Sequence, residues 1–410
     1  MNKILVLALG AWGVGQIAFV PVTAAVPLTE SEFLGLLNED HPAVEALRAE
    51  VAESSGEMVS WLPNPDVAWE REALDGEPAQ TTVTVRWQPP LDGRRGLERA
   101  AARAGRDAAE LRLGWERMEL RARVRELYAR WVTARDIRDL FAQLTHRTEA
   151  LAARARARAE AGEESGLAAG RLTLAAADVK ASAARAERDL QVTLAEVRTL
   201  FPDLDVSRTP AAPALPEPPS YPEPAGSAVP AAATRPDVRA RELDLERASR
   251  RHRLNGRFLE FPALTAGWTS LDAANDPGGP VLGVEWTVPL FDRGPGPRKQ
   301  SAEELRVARA ELELGRRAAA AELIAAHEAY RTLRAAALDL MEATARAEAV
   351  TTGATAEFEA GESTLTDLLE TLRSVADSRA AALEMRHEAL AAHRELERSV
   401  GRALTAGSDS

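Results

Sequence analysis

Hydrophobic and polar positions follow two different periods along this chain. Four short segments alternate between apolar and polar residues at every second position, which is typical of β-strands with one apolar face. These segments lie at about 64–72, 80–90, 262–271 and 280–290. Longer stretches place apolar residues every three or four positions and contain no proline, from about Leu97 to Ala161 and from about Ser301 to Ala360. They predict helices of about 60 residues, or roughly 90–100 Å, in a mainly α fold with a small β part.

The two halves of the chain repeat each other at a constant offset of 199 residues. Matched positions include Trp69 and Trp268, Trp87 and Trp286, and Gly162 and Gly361. Each half is expected to form a helix, two strands and a long helical hairpin, in an internal tandem repeat. The first repeat is predicted at 26–201 with its hairpin tip near 162–166, and the second at 235–403 with its tip near 361–365.

A proline-rich stretch at 202–234 separates the two repeats. Because proline favours extended backbone without internal hydrogen bonds, we interpret this stretch as a loose, extended connector. The last residues, 404–410, are expected to form a flexible tail.

Residues 1–25 have the pattern of a secretory signal peptide. Lys3 precedes an apolar run from Ile4 to Val20, and small residues up to Ala25 offer a cleavage site. A membrane anchor is the alternative, but four residues that interrupt the run disfavour it: Gly10, Gly13, Gly15 and Pro21. No later stretch reaches the roughly 18–20 apolar residues of a membrane-spanning helix. The mature chain is therefore expected to be exported without a helical membrane span.

Composition narrows the function classes. The chain has 51 Lys+Arg against 63 Asp+Glu, and its net charge of −12 disfavours a general nucleic-acid binder. The absence of cysteine excludes disulfides, thiolate metal sites, cysteine nucleophiles and an acylated N-terminal cysteine. The six histidines show no metal-ligand motif and are expected on helix surfaces: His41, His146, His252, His327, His387 and His393. With no catalytic constellation or phosphate-binding loop, we predict no enzyme, no cofactor and no metal site.

Tryptophan marks the apolar face of the predicted strands. The chain has eight Trp but only three Tyr, and four Trp form two repeat-related pairs: Trp69, Trp87, Trp268 and Trp286. Amphipathic Trp suits the boundary between acyl chains and water, so these residues predict a lipid-facing belt. The alternative is a soluble hairpin packed on the helices. Four strands cannot close a barrel, so strands in lipid require oligomerisation, and three copies supply twelve strands.

Several short motifs occur in a fixed order along the mature chain. They are His41-Pro42-Ala43-Val44, Leu62-Pro63-Asn64-Pro65, the segment from Trp87 to Arg95, Ala161-Gly162-Glu163-Glu164-Ser165 and Ala360-Gly361-Glu362-Ser363-Thr364. In this order and spacing the chain resembles the TolC-like outer-membrane efflux proteins. The stretch ending in Asp92-Gly93-Arg94-Arg95 is most similar to the heavy-metal-efflux, CzcC-like branch.

The resemblance implies a homotrimeric channel-tunnel, with a twelve-stranded β-barrel in the outer membrane and a long, trimeric α-barrel in the periplasm. It also implies docking to a periplasmic adaptor (a membrane fusion protein) and to an inner-membrane pump of the resistance-nodulation-division type. In the family, the hairpin tips form the periplasmic entrance and meet the adaptor. The matching tip residues are Gly162 and Glu163 in the first repeat, and Gly361 and Glu362 in the second.

Asp367 and Glu370 lie three residues apart on one predicted helix face, just past the second tip. They match positions where family members carry pore-facing acids near the closed entrance. In a trimer they would supply six carboxylates that attract cations and repel one another as the entrance narrows. Arg171, in the first repeat, offers a cation that could pair with this ring and latch it shut. The alternative interpretation is solvated charges on an exposed helix.

Arg86 and Glu285 occupy equivalent positions on the polar faces of the strands, which the resemblance assigns to the barrel lumen. They either pair across strands or keep the lumen wet, and we favour the second interpretation. The sequence thus predicts a passive exit duct for small molecules or metal ions, in the outer membrane with a periplasmic extension. The alternative function is a soluble periplasmic helical scaffold or adaptor without a barrel.

Overall fold

The structure, a computed structural model, describes residues 27–54, 60, 62–73, 79–162, 165–216, 233–257, 261–272, 278–288, 291, 294–402 and 404. The predicted signal peptide at 1–25, Glu163 and most of the predicted tail at 404–410 lie outside the described residues. The elements, in chain order, are α1 Glu30–Gly35, α2 Pro42–Ser54, β1 Asp66–Glu72, β2 Gln80–Trp87, α3 Arg94–Glu160, α4 Gly166–Leu200, α5 Pro236–Asn255, β3 Ala263–Leu271, β4 Gly279–Glu285, α6 Pro295–Thr344, α7 Ala347–Glu359 and α8 Leu365–Val400.

These elements form two compact units, and several long helices contribute to both. Unit one comprises the described residues within 1–38, 121–218 and 328–395, and it holds both hairpin tips. Unit two comprises the described residues within 39–120, 219–327 and 396–410, and it holds the sheet.

The four strands form one antiparallel sheet in the order β1-β2-β3-β4, so the hairpins of the two repeats join through β2 and β3. Val83 pairs with Trp69 on one side and with Trp268 on the other. Directly paired residues share a face of an antiparallel sheet. The predicted apolar face is therefore confirmed, and it carries Val67, Trp69, Val83, Val85, Trp87, Leu264, Ala266, Trp268, Leu282 and Val284.

Two predicted strands extend too far at their C-terminal ends. β2 ends at Trp87 instead of residue 90, because Pro89 and Pro90 have no amide hydrogen for a ladder bond. β4 ends at Glu285, which pairs with Ala263, the first residue of β3. Trp286 therefore follows β4 instead of lying within it, although it remains 53% exposed.

The apolar face of the sheet is open. Trp69 is 65% exposed, Leu282 81% and Val284 72%. Covering one large apolar side chain would stabilise the protein by about 1.5–3 kcal/mol. The soluble hairpin packed on helices, which was the alternative interpretation, is therefore not the arrangement that the structure shows.

The first long helix is uninterrupted over 67 residues, which corresponds to about 100 Å. Its seam is buried as the three-and-four spacing predicts, with Val124 1% and Trp131 2% exposed. In unit one, Trp131 and Tyr128 pack with Phe33 of α1, whose ring centroid lies 5.4 Å from that of Tyr128. Helix α1 thus closes the aromatic core of this unit.

The second long helix is broken, contrary to the prediction of one rod from about 301 to 360. Helix α6 ends at Thr344, and α7 begins at Ala347. The amide of Ala345 bonds to the carbonyl of Glu342, three residues back, and the Thr344 hydroxyl bonds to the carbonyl of Leu340. The break therefore occurs without a proline, where a three-residue backbone hydrogen bond replaces the regular four-residue one.

The described part of the proline-rich connector is docked, which corrects its interpretation as a loose spacer. The backbone of Leu28 is hydrogen-bonded to the connector on both sides of Pro210. The Leu28 amide donates to the carbonyl of Thr209 at 2.9 Å, and the Ala211 amide donates to the carbonyl of Leu28 at 2.8 Å. Side chains from three helices donate to the carbonyls of the connector. The donor–acceptor pairs are Tyr128 with Ala211, Arg135 with Pro210, Arg386 with Pro213, and Tyr330 and Arg334 with Pro216. Prolines remove amide donors but keep their carbonyls, so the segment is held by these side-chain donors.

Candidate functional site

Both hairpin tips turn at the predicted glycines. Gly162 has φ 77° and Gly361 has φ 79°, in the left-handed region that other residues adopt only with strain. After the first tip, the Ser165 hydroxyl accepts a hydrogen bond from the amide of Leu167 and caps α4. Glu362 is exposed at the second tip, while Glu163 lies outside the described residues. Adaptor docking at these tips stays a prediction.

Asp367 closes the second tip through a reciprocal cap with Thr364. The Asp367 carboxylate accepts from the Thr364 hydroxyl at 2.6 Å and from the Thr364 amide at 3.0 Å. In return the Asp367 amide donates to the Thr364 hydroxyl at 3.2 Å. These bonds, first from the side chain and then from the backbone of Thr364, lower the pKa of Asp367. The sequence Thr364-x-x-Asp367 is a capping-box pattern, so the role of Asp367 in the cap can be predicted from the sequence alone.

Arg171 and Glu370 line one groove in unit one, between α3, α4 and α8. The groove has a volume of about 590 Å³ and an apolar floor that includes Phe141 and Leu144. Among the described residues, no ion pair joins Arg171 to Glu370 or to Asp367. The structure thus brings Arg171 and Glu370 to one groove, but it does not form the predicted latch within one chain.

A different charged pair connects α4 and α8 across this groove. Arg373 of α8 lies 3.4 Å from Asp178 of α4. Both side chains are more than half exposed, and exposed pairs of this kind contribute about 0–1 kcal/mol. Sequence reasoning missed the pair because nothing local to either residue indicates its partner.

A second cluster of charges in unit one involves histidine. Glu126 of α3 accepts a hydrogen bond from His387, 3.0 Å away, and another from Arg394 at 2.6 Å. Burial opposes ionisation of Glu126, but the bond from His387 and the charge of Arg394 outweigh it and lower its pKa. His393 is only 2% exposed and packs against Tyr330 with ring centroids 4.9 Å apart. The expectation that the histidines lie on helix surfaces is therefore wrong for His393.

On the polar face of the sheet, Arg86 and Glu285 form an ion pair. The guanidinium of Arg86 donates to the Glu285 carboxylate at 3.1 Å. The structure shows the two residues paired across the strands, whereas the sequence analysis favoured unpaired polar residues that keep the lumen wet. The pair links β2 to β4 over the intervening strand, because Arg86 sits beside Thr265 and Glu285 beside Ala263 of β3.

The described residues contain no cluster of three or more metal-ligating side chains. Within the same residues, no helix is both long and apolar enough to cross a membrane.

No protein-family model matches the chain, and no curated protein sequence matches it. Solved structures do match. The outer-membrane channel CmeC of Campylobacter jejuni has a TM-score of 0.75 at 14% identity, over 91% of this chain and 85% of that one. CusC, solved in a study of folding and transmembrane channel formation, has a TM-score of 0.71 at 14% identity, over 91% and 92%. The open-state channel MtrE of Neisseria gonorrhoeae has a TM-score of 0.66 at 16% identity, over 93% and 91%. These structures are TolC-like outer-membrane channels, and the chain has their fold.

Proposed function

We propose that this protein is the outer-membrane channel of a tripartite efflux system, a passive exit duct that performs no chemistry and uses no cofactor. The observation that carries the proposal is the sheet, whose apolar face is exposed while its other face is polar. A free apolar face of this kind is unfavourable in water and favourable against acyl chains. The long hairpins that follow β2 and β4 then correspond to a periplasmic extension.

The edges of the sheet support assembly into a homotrimer. β1 and β4 each have one hydrogen-bonded neighbour in the described chain, so each leaves one row of backbone groups without a strand partner. In lipid such an edge must be paired, because no water satisfies its amides and carbonyls. If β1 of each copy pairs with β4 of the next copy, three copies form a closed barrel of twelve strands. Twelve is within the range of strand numbers of outer-membrane barrels.

The tips and the groove of unit one support a role as the periplasmic entrance. Asp367 and Glu370 are both exposed, and Asp367 stays ionised because its cap lowers its pKa. Six such carboxylates in a trimer would favour cations at the entrance. We assign docking of the periplasmic adaptor to the tips at Gly162 and Gly361, and energy supply to an inner-membrane pump of the resistance-nodulation-division type.

The finer assignment to the heavy-metal-efflux branch rests on the segment that ends in Asp92-Gly93-Arg94-Arg95. A duct need not bind its cargo tightly, so metal ions and other small molecules are both compatible with the residues of the chain. Sensitivity of a deletion strain to a panel of metal salts and drugs distinguishes these cargoes. Sensitivity to drugs alone would reject the metal assignment.

The experiment that tests the duct is fractionation followed by electrophysiology. The protein is expected in detergent extracts of outer membranes, and the purified protein is expected to open ion-conducting channels in planar bilayers. Recovery entirely in the soluble periplasmic fraction, without channel activity, would favour a soluble scaffold or adaptor and reject the duct.

A further inference from the structure

Cationic side chains are concentrated where the strands of unit two give way to helices. Three segments hold twelve Arg and Lys but only two acids, in a chain whose net charge is −12. The segments are the start of α3 at 92–106, the end of α5 at 247–257 and the start of α6 at 294–302. So strong a local excess of one charge, against the sign of the whole chain, creates a local positive potential.

The three segments meet in the folded chain. Arg94 donates to the carbonyl of Arg257 at 2.9 Å, which joins α3 to the end of α5. Asn255 donates to the carbonyl of Pro297 at 3.3 Å, which joins the end of α5 to α6. The segments carry seven exposed cations, which we call the basic collar: Arg99, Arg103, Arg106, Arg253, Arg257, Arg298 and Lys299.

Most of the basic collar has no carboxylate partner among the described residues. No described acid forms an ion pair with Arg99, Arg103, Arg253, Arg298 or Lys299. By contrast, many other arginines of this chain pair with acids, as Arg316 does with Glu242. Clustered like charges repel one another, so the collar is suited to an external anion.

The surroundings of the basic collar indicate which anion. Two exposed apolar side chains adjoin the collar at the turns between strands and helices, Leu91 at 70% and Phe291 at 99% exposure. The opposite ends of the strands have the reverse charge, since residues 73–79 and 272–279 contain four acids and no Lys or Arg. Cations beside apolar side chains fit the boundary of a lipid bilayer, where phosphate groups lie just outside the acyl chains.

We propose that the basic collar binds anionic phospholipid headgroups in the bilayer leaflet on the helix side of the sheet. The proposal rests on the proposed function, because that function places the apolar face of the sheet in lipid. Arginine supplies most of the collar, and its planar guanidinium forms two parallel hydrogen bonds to a phosphate.

The test compares the full-length wild-type protein with a variant in which five collar residues are neutralised: Arg99→Gln, Arg103→Gln, Arg253→Gln, Arg298→Gln and Lys299→Gln. Each protein is mixed with phosphatidylcholine vesicles, with or without phosphatidylglycerol, and the vesicle-bound fraction is measured by flotation. Each cation near an anionic surface contributes about fivefold to binding. Five such factors multiply to an upper limit of about 3,000-fold, so the variant is expected to bind phosphatidylglycerol vesicles at least about tenfold more weakly than the wild type, and neutral vesicles equally well.

A control variant removes the same number of positive charges from exposed positions of unit one: Arg121→Gln, Arg123→Gln, Arg185→Gln, Arg188→Gln and Arg198→Gln. It is expected to keep the preference for phosphatidylglycerol. High salt should abolish that preference in the wild type, because the Debye length falls to about 3 Å at 1 M.

Three outcomes overturn the proposal: an undiminished phosphatidylglycerol preference in the collar variant, an equal loss in the control variant, or an equal loss on neutral vesicles. The first outcome would assign the collar to another acidic partner. Planar-bilayer recordings keep the two proposals distinct. Absence of channels in every lipid would reject the duct, whereas channels without any phosphatidylglycerol preference would reject only the lipid-binding collar.

Discussion

Gly267 occupies the middle of β3, where a side chain would collide with the neighbouring strand. It pairs with Thr84 of β2 and with Val281 of β4, on the polar face of the sheet. A Cβ atom at this position would lie 2.2 Å from the carbonyl oxygen of Val83 and 2.9 Å from the Cα of Thr84. Both atoms belong to the backbone, so no rotamer change relieves the contact. Gly267→Ala should therefore force β2 and β3 apart.

The size of the effect follows from the overlap. A carbon atom approaches a carbonyl oxygen to about 3.3 Å without strain, so the two strands must shift locally by about 1 Å. Overpacking of this kind costs about 1–3 kcal/mol, which lowers the ratio of folded to unfolded protein by about 5–150-fold. The loss falls on the β2–β3 ladder, the pairing that joins the hairpins of the two repeats.

Urea unfolding followed by tryptophan fluorescence measures this loss, because Trp69, Trp87 and Trp268 lie in the sheet. Gly283→Ala is the matched control. It lies on the same polar face, but its Cβ would meet only the Cβ of Thr265, at an ordinary 3.5 Å. The control should change the free energy of unfolding by less than about 0.5 kcal/mol. Equal midpoints for the two variants, or a larger loss in Gly283→Ala, would refute the steric argument.

Three further predictions concern the helical part. Glu370→Gln, alone and together with Asp367→Asn, should lower cation selectivity and conductance in planar bilayers, and unchanged values would contradict the acidic ring. The folded pKa of Asp367 is lowered, so its cap is complete above the unfolded pKa and is lost as pH falls through the folded pKa. The protection factors for hydrogen exchange in the first turn of α8, which correct for the intrinsic pH dependence of exchange, should therefore fall in acid, while those of the turn capped by Ser165 should not change. Tyr330→Phe removes the hydroxyl that bonds to Pro216 and should lower the free energy of unfolding by about 1 kcal/mol, measured in urea; no change would mean that this bond does not hold the connector.

The strands and the first long helix were predictable because their signals are local. Alternation with a period of two sets the faces of Val83, Val85 and Trp87 before any pairing is known, and the register then places like faces together. In the same way, the absence of proline and the three-and-four spacing predict α3 throughout its length. Strand ends were harder to place, because the residue that ends β4 is fixed by the start of β3 and not by its own neighbours.

The features that escaped prediction depend on partners far away in the sequence. Nothing within the connector reveals that Arg135 and Tyr330 donate to its carbonyls, since these donors lie 75 and 114 residues away from their acceptors. Proline content indicates an extended backbone, and that part was right. Whether an extended segment is loose or docked depends on the surface it meets, which only the folded chain defines.

The two repeats show how one backbone plan can carry different chemistry. Both tips turn at a glycine with positive φ, and both following helices are capped by a hydroxyl, Ser165 or Thr364. Only the second cap adds a carboxylate, Asp367, while the first repeat has Ala168 at the equivalent position. The backbone is set by positions that both repeats share, whereas ionisation is set by positions where they differ. The cap of α8 should therefore respond to acid, whereas the cap of α4, formed by the Ser165 hydroxyl, should not.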